Sequence, residues 1–322
     1  MRKVKLLTLF IRLVPLFLFS CGSSDRGSDS SPLVKTDTPP NFKVAFIGDQ
    51  ALTENSKAVL RLIKEEKADM VLHLGDFDYA SNPDKWDKQI NNVLGPNFPY
   101  LGLIGNHEVR AWSRYQEKLQ NRLDKIDGAS CRGDLGVKSA CIYKGLFFIL
   151  SGVGTMGSGH TAYIRDQLAS NNSTWRICSW HKNQRLMQVD NRPDEVGWGA
   201  YEECRKGGAI IATAHSHSYS RTQLMDNFET QSVASTSNTL RIEKGKTFAF
   251  VSGLGGRNFD VQNDELAANN WWAAVSTPDQ GANFGALFCI FNVNGAENKA
   301  HCYFKDIDGR MADEFDVESA VR

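Results

Sequence analysis

Short apolar runs recur along the chain, and several of them end in a glycine followed by a polar residue. Residues 44–47 lead through a glycine into Asp49, and residues 70–74 lead through a glycine into Asp76. An apolar run of this length that ends in glycine is typical of a buried strand entering a loop. Each run therefore predicts a strand with a carboxylate just beyond its carboxyl end.

Three further apolar runs end beside side chains that can bind metal ions. The runs and side chains are 98–104 with Asn106 and His107, 177–180 with His181, and 209–214 with His215 and His217. Chance does not easily place such residues at the ends of five predicted strands. Because open α/β sheets bind ligands beyond the carboxyl ends of their strands, the pattern predicts that these side chains form one site.

Helices are predicted between these strands. Thr53 can cap a helix that ends at Lys67, and Pro83 lies in the first turn of a second helix that ends before Gly95. Two further helices are predicted at 112–126 and 161–169, and two strands at 142–143 and 146–150. Strands that alternate with helices predict a layered α/β fold.

The pattern changes after residue 221. Apolar runs predict strands at 248–253, 286–293, 300–305 and 312–317, of which the second and third form a hairpin. Residues 222–247 are polar and rich in turn-forming residues, and no element is predicted there.

The composition is that of a globular protein with a sizeable core, because 41% of the residues are hydrophobic and 10% are aromatic. The 37 basic and 37 acidic residues are interspersed and give a net charge of zero. Such a distribution argues against a nucleic-acid-binding stripe or an acidic tail. Ligands of small or modest size are expected, and nucleic-acid binding is not.

Residues 1–21 have the features of a signal peptide. A basic head precedes the apolar residues 6–19, which are too few to span a bilayer comfortably. Residues 18–22 resemble a bacterial lipobox, in which cleavage before Cys21 leaves a cysteine that carries lipid. Phe19 is bulkier than that motif usually allows, so cleavage by an ordinary signal peptidase is the alternative.

Residues 22–40 are rich in Ser, Asp, Gly and Pro and are predicted to form a flexible linker to a domain at 41–322. The protein is therefore expected to be exported and held in the bacterial cell envelope as a lipoprotein. Its only expected membrane contact is the lipid anchor at Cys21. A periplasmic or secreted protein is the alternative.

Six cysteines besides Cys21 fit an oxidising compartment. The expected disulfides are Cys131–Cys141 across a short loop, Cys289–Cys302 across the turn of the predicted hairpin, and, by elimination, Cys178–Cys204. Buried free thiols are the alternative. A zinc site is not expected, because no close Cys-x-x-Cys spacing is present.

In their order and spacing, the polar residues at the strand ends resemble the motifs of the calcineurin-like metallophosphoesterases. The matching residues are Asp49, Gly75-Asp76 with Tyr79, Gly105-Asn106-His107-Glu108, His181, and His215-x-His217. Tyr79 and residues 215–221 are most similar to the purple acid phosphatase branch. The resemblance implies an α/β fold in the form of a four-layer αββα sandwich, with two mixed sheets flanked by helices.

The resemblance also implies a dinuclear metal site. One ion would be held by Asp49, Asp76, Tyr79 and His217, and Asp76 would bridge to a second ion held by Asn106, His181 and His215. Many family members have a histidine two residues after the first aspartate, where this chain has Ala51. Purple acid phosphatases share that omission and use a tyrosine, which implies iron paired with iron, zinc or manganese. The alternative for Tyr79 is packing against the helix that begins at Pro83.

Hydrolysis of phosphate esters is the activity that the resemblance implies, with phosphomonoesters expected, as for an acid phosphatase. His107 would be the catalytic residue beside the leaving oxygen, and Glu108 is a candidate for orienting its imidazole. The candidates for binding the ester are Arg110, Tyr219, Arg221 and Arg257.

Phosphodiester hydrolysis is the nearest alternative, because it uses the same metal core. Alternatives from other classes are a non-catalytic, lipid-anchored protein that binds metals or a solute, and an adhesion or scaffold protein. Neither explains why His107, which ligates no metal in the family, stands beside Asn106. His73 lies inside an apolar run and is predicted to be a core residue.

Overall fold

Two β-sheets pack face to face between layers of helices in this computed structural model, which describes residues 37–321. This arrangement confirms the predicted four-layer fold. The predicted signal peptide, Cys21 and residues 22–36 of the predicted linker lie outside the described residues. Among residues 37–321, no helix is both long enough and apolar enough to cross a membrane.

Helices and strands alternate in the first part of the described chain, and strands dominate its last third. The helices are α1 (Glu54–Glu65), α2 (Pro83–Val93), α3 (Trp112–Leu123), α4 (His160–Ala169), α5 (Gly199–Lys206) and α6 (Asp264–Ala267). The strands are β1 (Phe42–Ile47), β2 (Met70–His73), β3 (Tyr100–Gly102), β4 (Ser130–Asp134), β5 (Lys138–Tyr143), β6 (Leu146–Ser151), β7 (Arg176–Ser179), β8 (Ile210–Thr213), β9 (Tyr219–Thr222), β10 (Leu224–Asn227), β11 (Ser232–Ser235), β12 (Thr239–Ile242), β13 (Ala249–Ser252), β14 (Trp272–Ser276), β15 (Gly285–Phe291), β16 (Lys299–Asp306) and β17 (Met311–Ser319).

Both large sheets are mixed. The first sheet has the order β12-β17-β16-β15-β1-β2-β3, and the second has the order β14-β9-β13-β8-β7-β6-β5-β4. Within the first sheet β1, β2 and β3 are parallel, and within the second β6, β7, β8 and β13 are parallel. The loops after these parallel strands carry the predicted site residues.

Aromatic side chains fill the space between the two sheets. The rings of Phe46 on β1 and Phe250 on β13 meet edge to face at 5.2 Å, and Tyr219 on β9 stacks on Phe304 of β16 at 4.3 Å. Helices α1 to α3 cover the outer face of the first sheet, and α4 and α5 cover the second. Burial of one such ring stabilises the fold by about 2–3 kcal/mol, so this interface fixes how the sheets face each other.

The predicted helix starts are confirmed. Thr53 caps α1, because its hydroxyl accepts from the Ser56 N–H while the Ser56 hydroxyl accepts from the Thr53 N–H. Asn82 caps α2, and Pro83 takes its first position. His73 is fully buried with its Nδ1 2.6 Å from the Tyr100 hydroxyl, which confirms its predicted place in the core.

Three disulfides confirm the predicted pairing. Cys131–Cys141 and Cys289–Cys302 join residues that lie directly opposite each other on neighbouring antiparallel strands. Cys178–Cys204 ties β7 to α5. The last bridge therefore holds together the two elements that flank the loop at 180–198.

Residues 222–247 contain three strands, although the sequence pattern predicts none there. Strands β10 and β11 form a separate two-stranded ribbon, and β12 pairs with β17 at the edge of the first sheet. Much of β11 is exposed or half-buried, and β12 buries only alternate residues. Strands that bury so little need few apolar residues, so apolar runs do not reveal them.

Candidate metal centre

The predicted ligands meet where the parallel strands of the two sheets end. Asp49, from the loop after β1, accepts a hydrogen bond on Oδ2 from the His215 N–H, which follows β8 (2.8 Å). His181, after β7, donates through Nδ1 to the Leu74 carbonyl, which follows β2 (2.8 Å). Loops from both sheets are thereby joined in one buried polar cluster.

Asp49 Oδ1, Tyr79 Oη and His217 Nε2 form a compact group, here called the first donor set. The Tyr79 hydroxyl lies 2.7 Å from Asp49 Oδ1 and 2.9 Å from His217 Nε2, and the latter two atoms are 3.3 Å apart. Donor atoms that share one metal ion at about 2.1 Å lie roughly 3 Å apart. The first donor set therefore has the spacing of ligands around a single ion.

Asp76 Oδ1, His181 Nε2 and His215 Nδ1 form the second donor set. His181 Nε2 lies 3.3 Å from Asp76 Oδ1 and 3.1 Å from His215 Nδ1. All three residues are buried, and each offers a ligand atom within 4.8 Å of the others. Asn106 Oδ1 is also buried and has no hydrogen-bond partner among the described residues, which leaves it free to bind a cation.

Asp76 connects the two donor sets. Its Oδ1 lies 3.3 Å from His181 Nε2 of the second set, and its charge contributes to the raised pKa of the Tyr79 phenol in the first. A Cβ atom at position 105 would lie 2.2 Å from Asp76 Oδ1, so only glycine lets the loop after β3 come this close. The Gly105-Asn106-His107 segment can therefore pack directly against the Asp76 carboxylate, which accepts from the His107 N–H at 3.0 Å.

Four of the clustered residues have a left-handed backbone. The φ angles are 58° at Asp49, 57° at Asp76, 55° at Tyr79 and 68° at His215. This conformation costs a non-glycine residue about 1–3 kcal/mol and persists where the surroundings enforce it. Eight other non-glycine residues of the described chain share it. The fold therefore holds the loops of the cluster firmly in place.

The charges in the cluster favour cations. Burial raises the pKa of the Asp76 carboxyl, but His181 opposes it strongly enough to hold that pKa well below its usual range. Burial lowers the pKa of His181, but the Asp76 and Asp49 carboxylates raise it to about 9. Burial, together with the same carboxylates, raises the pKa of the Tyr79 phenol far above its usual range. Binding of a metal ion to His181 or Tyr79 must therefore displace a proton, whereas Asp76 is already ionised.

His107 lies at the solvent side of this cluster. Its side chain is 45% exposed, its Nε2 is 3.8 Å from Asp76 Oδ2, and its ring centroid is 4.3 Å from that of Tyr79. Glu108 does not orient this imidazole as the sequence suggests. It is fully buried, and its two oxygens accept hydrogen bonds from the backbone N–H groups of Asp76, Phe77 and Gly105 at 2.8–2.9 Å. Glu108 therefore shapes the loops, since backbone donors occupy its carboxylate.

Of the predicted substrate contacts, the structure brings Arg257 to the cluster. The exposed Arg257 lies with its guanidinium 4.7 Å from the centre of the Tyr79 ring. Arg110 is exposed on the short 3-10 helix Val109–Ala111.

Tyr219 and Arg221 occupy a different place from the one expected of substrate contacts. Both are buried, and Arg221 donates to both carboxylate oxygens of Asp313 at 2.6 and 2.9 Å. The Tyr219 hydroxyl donates to the same carboxylate at 2.7 Å. Because a buried charge must be paired, these two residues serve the core between the sheets and are not free to grip an ester.

Two carboxylates at the cluster are not indicated by the sequence pattern. Glu195 Oε2 lies 2.9 Å from His215 Nε2, and Asp260 Oδ2 accepts a hydrogen bond from the His217 N–H at 2.7 Å. Both residues come from long polar loops and do not directly follow a strand. A search for polar residues at strand ends therefore cannot find them.

Residues 42–219, more than half of the chain, match the model of the calcineurin-like phosphoesterase family. No match to the chain is found among curated proteins.

Three solved structures share the fold at low sequence identity. They are the purple acid phosphatase PPD1 from seeds of yellow lupin, Lupinus luteus (16% identity, TM-score 0.65, covering 89% of this chain and 55% of that one), PhoD (13%, 0.51, 90% and 74%), and GAP50, described as the anchor in the inner membrane complex of Plasmodium (11%, 0.55, 87% and 91%). The chain thus spans about half the length of the lupin protein.

Proposed function

We propose that this chain, which belongs to the calcineurin-like phosphoesterase family, binds two metal ions and hydrolyses phosphate esters with them. The observation that carries this proposal is the pair of donor sets with Asp76 between them, each with donor atoms about 3 Å apart. The free Asn106 Oδ1 beside them adds an oxygen donor that hydrogen bonding does not occupy.

Seven side chains would hold the ions: Asp49, Tyr79 and His217 the first, Asn106, His181 and His215 the second, and Asp76 both. Carboxylate, phenol, amide and imidazole donors suit hard and borderline cations, and we propose iron paired with iron, zinc or manganese. When bound, two such cations offset charge on the phosphoryl oxygens and lower the pKa of a water that attacks phosphorus.

His107 would act as the catalytic residue that donates a proton or hydrogen bond to the leaving oxygen. Its partly exposed imidazole can reach an ester from outside, while the donor sets lie buried behind it. General acids of this kind contribute about 10²–10⁴-fold in rate. We therefore expect His107→Asn to lower kcat by about that factor and to leave the metal content unchanged.

The charge near the cluster favours phosphomonoesters over diesters. A monoester carries about 1.5–2 negative charges near neutral pH, whereas a diester carries one. Arg257, beside Tyr79, places a cation where such an ester would approach the first donor set. Arg257 is therefore the proposed ester contact. Arg110, which is close to His107 in the sequence, provides a second exposed cation.

Parallel assays with an aryl phosphate and a bis-aryl phosphate test this proposal on the metal-loaded protein. Faster turnover of the aryl phosphate is expected, together with a raised KM in Arg257→Ala. Faster turnover of the bis-aryl phosphate would make the protein a phosphodiesterase. Turnover of neither, with two ions bound, would instead favour a non-catalytic metal-binding protein.

We also propose that the protein is exported, because three disulfides form and persist in oxidising compartments. Lipid attachment at Cys21 belongs to the same proposal and rests on the sequence of residues 18–22. Mass analysis of the mature N-terminus checks it, with Cys21→Ser expected to release the protein from membranes. A mature N-terminus elsewhere would overturn the lipid anchor.

A further inference from the structure

An imidazole that binds a metal must present an unprotonated nitrogen, so its other nitrogen has to carry the proton. For His181 the choice is fixed by the backbone. Its Nδ1 lies 2.8 Å from the Leu74 carbonyl oxygen, which can only accept, so Nδ1 holds the proton and Nε2 belongs to the second donor set. The imidazoles of His215 and His217 have carboxylates in the corresponding position.

Glu195 lies behind His215, on the side away from the second donor set. Its Oε2 is 2.9 Å from His215 Nε2, whereas Nδ1 of the same ring is the atom that lies 3.1 Å from His181. This Oε2 atom is buried, and no aligned hydrogen bond satisfies it among the described residues. A proton on His215 Nε2 would supply the missing donor after a small rotation of the ring. Lys182 forms a close ion pair with the other carboxylate oxygen, which holds Glu195 in place.

Asp260 lies in the corresponding place beside the His217 imidazole, at ion-pair distance and beyond hydrogen-bond distance. Its Oδ1 is 3.7 Å from His217 Nδ1, a buried nitrogen without a hydrogen-bond partner among the described residues, while Nε2 belongs to the first donor set. The backbone of His217 is clamped as well: its N–H donates to Asp260 Oδ2 at 2.7 Å, and its carbonyl accepts from the Asp260 N–H at 3.3 Å. Arg192 pairs closely with this carboxylate. Arg192 also pairs with Asp190, so it is shared between two carboxylates. Each imidazole therefore has a carboxylate beside its second nitrogen, and each carboxylate contacts a cation.

We propose that Glu195 and Asp260 are positioning residues that impose opposite tautomers on His215 and His217. His215 then binds its ion through Nδ1, and His217 binds the other ion through Nε2. The inference rests on the proposed metal site and assigns one supporting carboxylate to each ion. Glu195 supports the ion of the second donor set, and Asp260 supports the ion of the first.

Zinc titrations of the full chain carrying Glu195→Gln or Asp260→Asn test which ion each carboxylate supports. Each substitution preserves the shape of the side chain but removes its charge and lets an amide N–H face the ring. Loss of a carboxylate behind a ligating imidazole typically weakens metal affinity 10- to 100-fold. Each variant should therefore retain one tightly bound zinc ion and bind the other 10- to 100-fold more weakly.

Ring ¹⁵N chemical shifts of the zinc-loaded proteins identify which imidazole has lost its ion, and through which nitrogen each one binds. This readout does not depend on turnover. The wild type should show His215 coordinated through Nδ1 and His217 through Nε2. Glu195→Gln should alter the signals of His215 and of His181, which share the second ion, and leave those of His217 unchanged. Asp260→Asn should alter those of His217 and leave those of His181 and His215 unchanged.

Asp194→Asn is the matched control. It removes the same charge one residue from Glu195, and its remaining oxygen can still accept from the Val196 and Gly197 N–H groups. If Glu195→Gln and this control have the same zinc affinities and the same ¹⁵N shifts, the inference is overturned. The inference is also overturned if metal-free Glu195→Gln has a lower denaturation midpoint but an unchanged zinc affinity. That result would assign Glu195 a purely structural role. A wild-type protein that binds neither zinc, iron nor manganese would instead overturn the proposed function.

Discussion

The hydroxyl of Tyr79 completes the first donor set, while Ala51, two residues after Asp49, supplies no donor. A phenolate bound to ferric iron absorbs visible light, so the iron-loaded protein is expected to be coloured. Tyr79→Phe retains the ring and its packing on His107 but removes the donor oxygen. The visible band should disappear and the affinity for that ion should fall, as absorption spectra and metal analysis would show.

The matched control for this prediction is Tyr163→Phe, which removes a partly buried hydroxyl on α4, against the outer face of the second sheet. It should leave colour and metal content unchanged. A colourless protein with zinc or manganese, whose Tyr79→Phe variant retains full metal content and rate, would remove Tyr79 from the site.

Arg221 is predicted from the sequence to bind the ester, but in the structure it forms a buried ion pair. Its guanidinium is buried and paired with Asp313, so Asp313→Asn should leave an uncompensated charge in the core. Breaking a buried ion pair on one side costs about 3–5 kcal/mol, and urea denaturation should show a loss of that order. Metal content and KM should stay at wild-type values. Unchanged stability with a raised KM would return Arg221 to the substrate site.

Several of the proposed metal ligands were open to prediction because they follow a buried strand within two or three residues. Asp49, Asp76 and His181 meet this condition, and the topology does bring them together. Glu195 and Asp260 do not meet it, since their positions depend on how two long polar loops fold. Glu108 shows the other limit, because adjacency to His107 in sequence says nothing about which backbone amides its carboxylate meets.

At the scale of secondary-structure elements, the Cys178–Cys204 bridge connects β7 to α5 across the loop that carries Lys182 and Glu195. The double variant Cys178→Ser/Cys204→Ser should lose about 3 kcal/mol of stability, as expected for a closed loop of this size. Its affinity for one of the two ions should also fall, because the loop that carries Glu195 is less constrained. Denaturant titration and zinc titration measure the two effects separately.

The control for this bridge is Cys131→Ser/Cys141→Ser, which opens the disulfide between β4 and β5 at the edge of the second sheet. Stability should fall by about 2–3 kcal/mol with both ions retained at wild-type affinity. Equal zinc affinities in the two double variants would show that the first bridge does not support the site.

Elements with a continuous apolar run or a clear cap follow from the sequence, as α1, α2, β1 and β6 illustrate. The edge strand β4 and the ribbon of β10 and β11 do not, because most of their residues face solvent at least in part. These strands form by pairing with neighbouring strands, and a local pattern of apolar residues does not predict such pairing.

At the scale of the whole molecule, the sheet order joins distant parts of the chain. Strand β1 lies between β2 and β15, so the start and the end of the described chain share one sheet, whereas β6 to β8 build the centre of the other. Local patterns cannot predict that order, since it follows from how the two sheets pack. The donor sets draw on loops from both sheets, so bound ions would link the two halves of the sandwich.

The most direct test of this account is the metal stoichiometry of the purified protein, measured beside that of Asp76→Asn, with hydrolysis of an aryl phosphate followed in the same samples. Asp76 is proposed to bind both ions, whereas each other ligand would bind one. The wild type should contain about two transition-metal ions per chain, as a two-metal site requires, and should lose hydrolysis on chelation. Asp76→Asn should fold but bind at most one ion and show no hydrolysis. A metal-free wild type that hydrolyses the ester no faster than Asp76→Asn would contradict the account.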